Sequence, residues 1–126
     1  MSTKPVYINL FKIKLPLSAF LSITHRVSGI LIFFIVLPVS AYILNILFES
    51  QPSFLLFIDT FNSSISLRTF VLFNILIFEY HVITGLRHIL MDFHLINETL
   101  AASNTSAIVA LIAFILNALL TIWLLV

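Results

Sequence analysis

The chain has 126 residues, 61% of them hydrophobic and 9% charged, with a net charge of +1 at neutral pH. Such an apolar excess excludes an ordinary soluble domain, and the near-zero charge argues against nucleic acid as a partner. With no cysteine in the chain, disulfides and an iron–sulfur cluster held by its own thiolates are excluded as well.

Only two glycines, four prolines and long unbroken apolar runs favour helices over a barrel as the way to satisfy backbone groups in lipid. The expected fold is all-α, a single transmembrane domain over residues 1–126 with spans at about 18–48, 67–90 and 108–126. These spans consume nearly the whole chain. Any reaction of a water-soluble substrate must therefore be completed on partner subunits.

Met1 to Asn9 is short and polar, without the apolar core of a signal peptide or the arginine-rich helix of a transit peptide. The expectation is a bacterial chain, one made inside an organelle, or one that has already lost a leader. Residues 1–16 carry Lys4, Lys12 and Lys14, with Pro5 and Pro16 discouraging a regular helix. They read as an interfacial lead-in.

The first span opens with Ser22-Ile23-Thr24-His25-Arg26-Val27-Ser28-Gly29. Ser22, Arg26 and Gly29 fall at i, i+4 and i+7 with His25 beside them, so a hydroxyl, an imidazole and a guanidinium share one helix face at the membrane mouth. A guanidinium stays charged there and requires a partner. The candidates are a lipid phosphate, a haem propionate or a quinone carbonyl, against the plain alternative of snorkelling to headgroups. Pro38, in mid-span, predicts a kink.

Residues 49–66 form a connection with acids but no lysine, and Phe54 to Ile58 is too short to span and suits the interface. The second span ends in Glu79-Tyr80-His81-Val82-Ile83-Thr84-Gly85-Leu86-Arg87-His88-Ile89-Leu90-Met91-Asp92. His81, Gly85 and His88 fall on one stripe while Arg87 points elsewhere. Ionisable groups at membrane depth cost several kcal/mol unless paired, so they mark function by default. An imidazole beside a residue with no side chain suits a flat, bulky ligand, and haem has that shape and takes an axial histidine. The alternative is that His81 hydrogen-bonds across a helix interface and Gly85 is a small packing residue. His88 has a propionate, a lipid phosphate or water as candidate partners.

Met91 to Ala107 reads as a polar turn with Asp92, His94, Asn97 and Glu98. The third span holds only Asn117, Thr121 and Trp123 as polar or amphipathic residues and is assigned packing and anchoring. Lys4, Lys12, Lys14, Arg26 and Arg87 lie at one end of the spans, which places the N-terminus and the 91–107 turn on the cytoplasmic or matrix side. The Ser22/His25/Arg26 face and the Arg87/His88 end then converge on one membrane surface. His81 sits roughly 9 Å deeper than Arg87 at the helical rise.

At these residues the chain resembles the cytochrome b subunits of succinate dehydrogenase, the larger of the two membrane anchors of respiratory complex II. A pattern of Ser, two residues, His-Arg, one residue, Ser-Gly matches Ser22, His25, Arg26, Ser28 and Gly29. A second pattern, His, three residues, Gly, one residue, Arg-His, three residues, Asp, matches His81, Gly85, Arg87, His88 and Asp92. Two independent motifs in the right order, on three spans, cover the whole chain. Departures are Lys4-Pro5, where an Arg-Pro pair is usual, and Thr24, at a place often apolar.

The resemblance implies that His81 is one axial ligand of haem b, the other coming from a small membrane-anchor subunit. It places Ser22 and Arg26 at a ubiquinone site, and His25, Arg26 and His88 near the propionates; the small Gly85, by its place on the His81 stripe, would let the macrocycle lie close to the backbone. It implies an iron–sulfur subunit and a flavoprotein subunit as further partners, in the bacterial cytoplasmic or mitochondrial inner membrane. Electrons from succinate would pass from the flavin through the clusters to the quinone. The haem either holds an electron transiently or mainly supports assembly. Glu79 is an intramembrane acid without an assigned role. Rival readings are a non-redox scaffold that only tethers soluble subunits, a fumarate-reducing enzyme with a lower-potential quinone, and a channel or transporter fragment. The last is disfavoured by the apolar third span and the lack of an internal repeat.

Overall fold

The computed structural model describes residues 14–97 and 99–125. The lead-in lysines Lys4 and Lys12, Pro5 and the turn residue Glu98 lie outside them. The described chain is helical, without strands among these residues, and falls into four helices: α1 (Leu17–Glu49), α2 (Gln51–Ser63), α3 (Ile65–Asp92) and α4 (Leu100–Leu125). Of these, α1, α3 and α4 are long and apolar enough to cross a membrane.

Helix α1 begins directly after Pro16, whose extended backbone ends the lead-in. The Ser18 N–H is capped from another helix, donating to Asn104 Oδ1 of α4 at 3.1 Å. Residues Ile32–Val36 adopt a π-helical turn just before Pro38. A proline ring collides with the carbonyl four residues back and lacks an N–H, and widening the preceding turn relieves both defects without ending the helix. The irregularity expected at Pro38 therefore takes the form of a π segment in a helix that continues to Glu49.

Ser50 then adopts an extended conformation, and its hydroxyl accepts from the Ser53 N–H, capping α2 with Pro52 in the first turn. The connection between the first two spans is thus itself helical. Ser64 repeats the device, accepting from the Leu67 N–H to open α3. Helix α3 ends where His94 takes a left-handed conformation, φ 55°. Leu95 N–H reaches back to the Leu90 carbonyl and His94 N–H to the Met91 carbonyl, the 6→1 and 5→2 pair of a Schellman ending, with histidine where glycine is usual. The Thr99 hydroxyl accepts from Ala102 N–H and opens α4 eight residues before the third span expected from sequence.

Helix α3 packs against both α1 and α4. Residue pairs that meet run 25 with 88 and 28 with 81 between α1 and α3, then 79 with 121 and 87 with 106 between α3 and α4. The numbering runs oppositely at each interface, so neighbouring helices are antiparallel, and the start of α1, the end of α3 and the start of α4 share one end of the bundle. The core there is small: Leu21, Ala107 and Ala110, with Leu17, Ile83 and Leu111 around it. Alanines let the α1 and α4 backbones approach, as small residues do where no hydrophobic force separates helix from lipid. Most large apolar side chains, Phe33, Phe34, Phe48 and Trp123 among them, face outward.

Candidate functional site

Three of the histidines of the bundle gather between α1 and α3. Two histidines are exchanged between two glycines. Gly29 of α1 has no side chain where His81 of α3 lies, and a Cβ there would stand 3.2 Å from His81 Cε1. Gly85 of α3 faces His25 of α1, and a Cβ there would stand 3.0 Å from His25 Nε2. Each helix thus contributes a histidine and, one turn later, a glycine. Antiparallel packing sets each ring on the other helix's bare backbone.

The two rings stack, with centroids 4.2 Å apart and planes 11° from parallel. His88 closes the group, its ring 5.0 Å from that of His25 and tilted by 48°. The stripe of His81, Gly85 and His88 read from the sequence therefore meets one shared side chain, His25. The open face of Gly85 receives that imidazole.

Hydrogen bonds fix one ring more firmly than the other. His81 Nδ1 lies 2.9 Å from Ser28 Oγ, and Ser28, only 5% exposed, donates to the His25 carbonyl at 2.7 Å. His25 Nε2, by contrast, is buried without a hydrogen-bond partner among the described residues. A buried ring nitrogen left unpaired is uncommon and calls for a further polar group.

Ser22 is half-buried and Arg26 exposed, and neither has a hydrogen-bond partner among the described residues. Ser22 lies one turn before His25 on α1. Arg26, Arg87 and Asp92 act electrostatically on His88, so these charges form one neighbourhood at this end of the bundle. No group of three or more His, Cys, Asp or Glu residues suited to a metal ion occurs among the described residues. The described residues therefore do not form a closed coordination shell.

Arg87 belongs to a different interface. It is 4% exposed, and its guanidinium donates to Ser106 Oγ at 3.0 Å, to the Ser103 carbonyl at 2.9 Å and to Ser103 Oγ at 3.0 Å. A buried cation is thereby held by α4 acceptors, with no acid bonded to it among the described residues. Sequence reasoning missed these serines because it read residues 91–107 as a turn. Their i, i+3 spacing would have put them on one helix face.

Two further polar pairs tie the helices together. Glu79 Oε1 accepts from the Thr121 hydroxyl of α4, while its Oε2 is buried without a hydrogen-bond partner among the described residues. Thr24 shares a short hydrogen bond with the Tyr80 hydroxyl, and also reaches the carbonyls of Phe20 and Leu21 on its own helix. The Tyr80 ring meets Phe114 of α4 edge-on, centroids 5.2 Å apart. Thr24, a departure from the pattern at a place often apolar, is therefore matched by a phenol across the interface.

Comparison with known proteins follows the same lines. A family model described as succinate dehydrogenase/fumarate reductase transmembrane subunit matches residues 1–122. The chain is 30% identical over 122 residues to the succinate dehydrogenase cytochrome b556 subunit of Coxiella burnetii, covering 95% of each chain. It is 33% identical over 75 residues, 60% of each chain, to the succinate dehydrogenase cytochrome b560 subunit of Porphyra purpurea.

Proposed function

The chain belongs to the succinate dehydrogenase/fumarate reductase transmembrane subunit family, and we propose that it is the cytochrome b anchor of a succinate:ubiquinone oxidoreductase. Both relatives compared carry succinate dehydrogenase names, which favours succinate oxidation over the fumarate-reducing direction that the family description also covers. The observation that carries the reading is His81, set between helices with Nδ1 engaged by Ser28 and Nε2 without a hydrogen-bond partner among the described residues, which leaves that nitrogen available to a metal.

The residues fit haem b. With no closed set of metal ligands among the described residues, His81 would hold the haem iron together with a ligand from the small membrane-anchor subunit. The unpaired His25 Nε2, seated on Gly85 beside His88, suits a carboxylate of the propionate kind. His81 would then hold the iron, His25, Arg26 and His88 would bind the acidic edge, and Gly85 would contribute by seating His25. When bound, haem b supplies a one-electron couple.

Ser22 and Arg26 line the ubiquinone site in this reading. Both lack hydrogen-bond partners among the described residues, and both lie within a turn of His25. A hydroxyl and a guanidinium hydrogen-bond the quinone oxygens and stabilise the negative charge that develops on them as electrons arrive, before protons follow from the nearby aqueous phase. Electrons leave succinate on the flavoprotein subunit and reach the quinone through the iron–sulfur subunit. The anchor chemistry needs only positioning and charge stabilisation from this chain.

The basic residues favour this end of the bundle lying on the cytoplasmic or matrix side of a bacterial cytoplasmic or mitochondrial inner membrane. The test is a reduced-minus-oxidised spectrum of the isolated complex with succinate as reductant. A b-type spectrum that develops with succinate supports the reading, and a colourless active complex returns the chain to the role of tether.

A further inference from the structure

The Ser28 hydroxyl has one proton and two close neighbours. The His25 carbonyl, 2.7 Å away, is an acceptor only, whereas His81 Nδ1, 2.9 Å away, either donates or accepts depending on its tautomer. If Ser28 gave its proton to Nδ1, its oxygen would face the carbonyl oxygen at 2.7 Å with no hydrogen between two lone pairs. Burial to 5% exposure leaves little room for water to repair such a contact. The proton therefore belongs on the carbonyl side, and Nδ1 must carry its own hydrogen.

We infer that Ser28 is a positioning residue for the axial ligand: the chain His81 Nδ1–H to Ser28 Oγ–H to the His25 carbonyl locks His81 in the tautomer whose free lone pair is on Nε2. This rests on the reading of His81 as the haem ligand and adds what holds the ligand ready. The same bond orients the ring, and Gly29 leaves room for that edge of it, since a Cβ there would stand 3.2 Å from His81 Cε1. An N–H donated to an acceptor that itself donates onward makes the imidazole a stronger electron donor to iron. Ser28 thereby favours the ferric state and holds the midpoint potential down.

Ser28 replacements in the assembled complex test this through a redox titration of the b-type spectrum. Ser28→Ala is expected to shift the ferric–ferrous balance about tenfold toward ferrous, which is about 59 mV upward for a one-electron couple. Ser28→Thr and Ser28→Val have nearly the same shape and differ in the hydroxyl, so Thr should hold the wild-type midpoint while Val shifts it or loses the cofactor. An Ala variant titrating with wild type, or a Thr variant behaving as Val does, overturns the inference. His81→Ala run alongside separates the two levels: if it keeps the wild-type spectrum, the ligand assignment fails, and the role of Ser28 with it.

Discussion

His25 lies across Gly85 and stacks on His81, with ring centroids 4.2 Å apart, so one side chain of the first membrane helix covers the glycine and touches the histidine of the third helix's motif. Both helices carry the same histidine and glycine one turn apart, and the antiparallel pairing makes each the seat of the other. What the two motifs share in space is a single interlock.

That interlock responds to a methyl group. Alanine gains up to about 1 kcal/mol over glycine within a helix, while forcing a methyl into a filled contact costs about 1–3 kcal/mol. Gly85→Ala meets His25 at 3.0 Å and Gly29→Ala meets His81 at 3.2 Å, so the first should lower the melting temperature of the complex more than the second. Gly29→Ala should alter the b-type spectrum directly, because the displaced ring is that of His81. Equal stability in both variants, with unaltered spectra, would show that the rings move aside freely.

Arg87 is a fastener between α3 and α4. Hydrogen bonds to a charged group contribute about 1.5–3 kcal/mol each, so Arg87→Ala should lower stability by several kcal/mol and reduce the amount of assembled complex. Arg87→Lys should not restore it, since an ammonium lacks the planar fork that reaches Ser103 and Ser106 together. Thermal melts in detergent give the comparison. A lysine variant as stable as wild type would contradict the clamp.

Glu79 divides packing from proton handling. Its Oε1 accepts from Thr121, and glutamine keeps such an acceptor. Glu79→Gln should assemble and reduce quinone at the wild-type rate, while Glu79→Ala, which leaves the threonine unpaired, should cost about 1–3 kcal/mol of stability. Slow quinone reduction by a well-assembled glutamine variant would assign the carboxyl a part in proton movement.

Arg26 and Ser22 are exposed to a different measurement. Arg26→Leu should lower ubiquinone reduction by about 10²-fold or more, in line with the loss of one charge-stabilising donor. Succinate oxidation with an artificial acceptor should be largely kept, because in the proposed assembly the flavin and clusters lie on partner subunits. Ser22→Ala should show the same split, less severely. Unchanged quinone kinetics in the Arg26 variant would remove that residue from the site.

The sequence made the histidine stripe legible because a 3.6-residue period turns spacing into a face, and the structure shows His81, Gly85 and His88 meeting one partner. It also made legible that α1 starts where α3 ends. It did not reveal that His25, not open space, covers Gly85, since spacing within one helix carries no information about the neighbour's register. The Arg87 clamp was hidden for another reason: Thr99 to Ala107 is polar and looks like a turn by composition, yet the Thr99 cap starts α4 there and packs its serines inward. His94 ended α3 in a left-handed conformation that sequence reading expects of glycine or asparagine. The residues 1–13, with Lys4 and Lys12, lie outside the described structure.

The central claim is that His81 gives its Nε2 to a haem shared with a neighbouring subunit. The reduced-minus-oxidised spectrum of the purified His81→Ala complex, set against wild type, tests it most directly. Loss or gross alteration of the b-type bands in an otherwise assembled complex is the expected result. A fully assembled variant with wild-type bands and midpoint would contradict it.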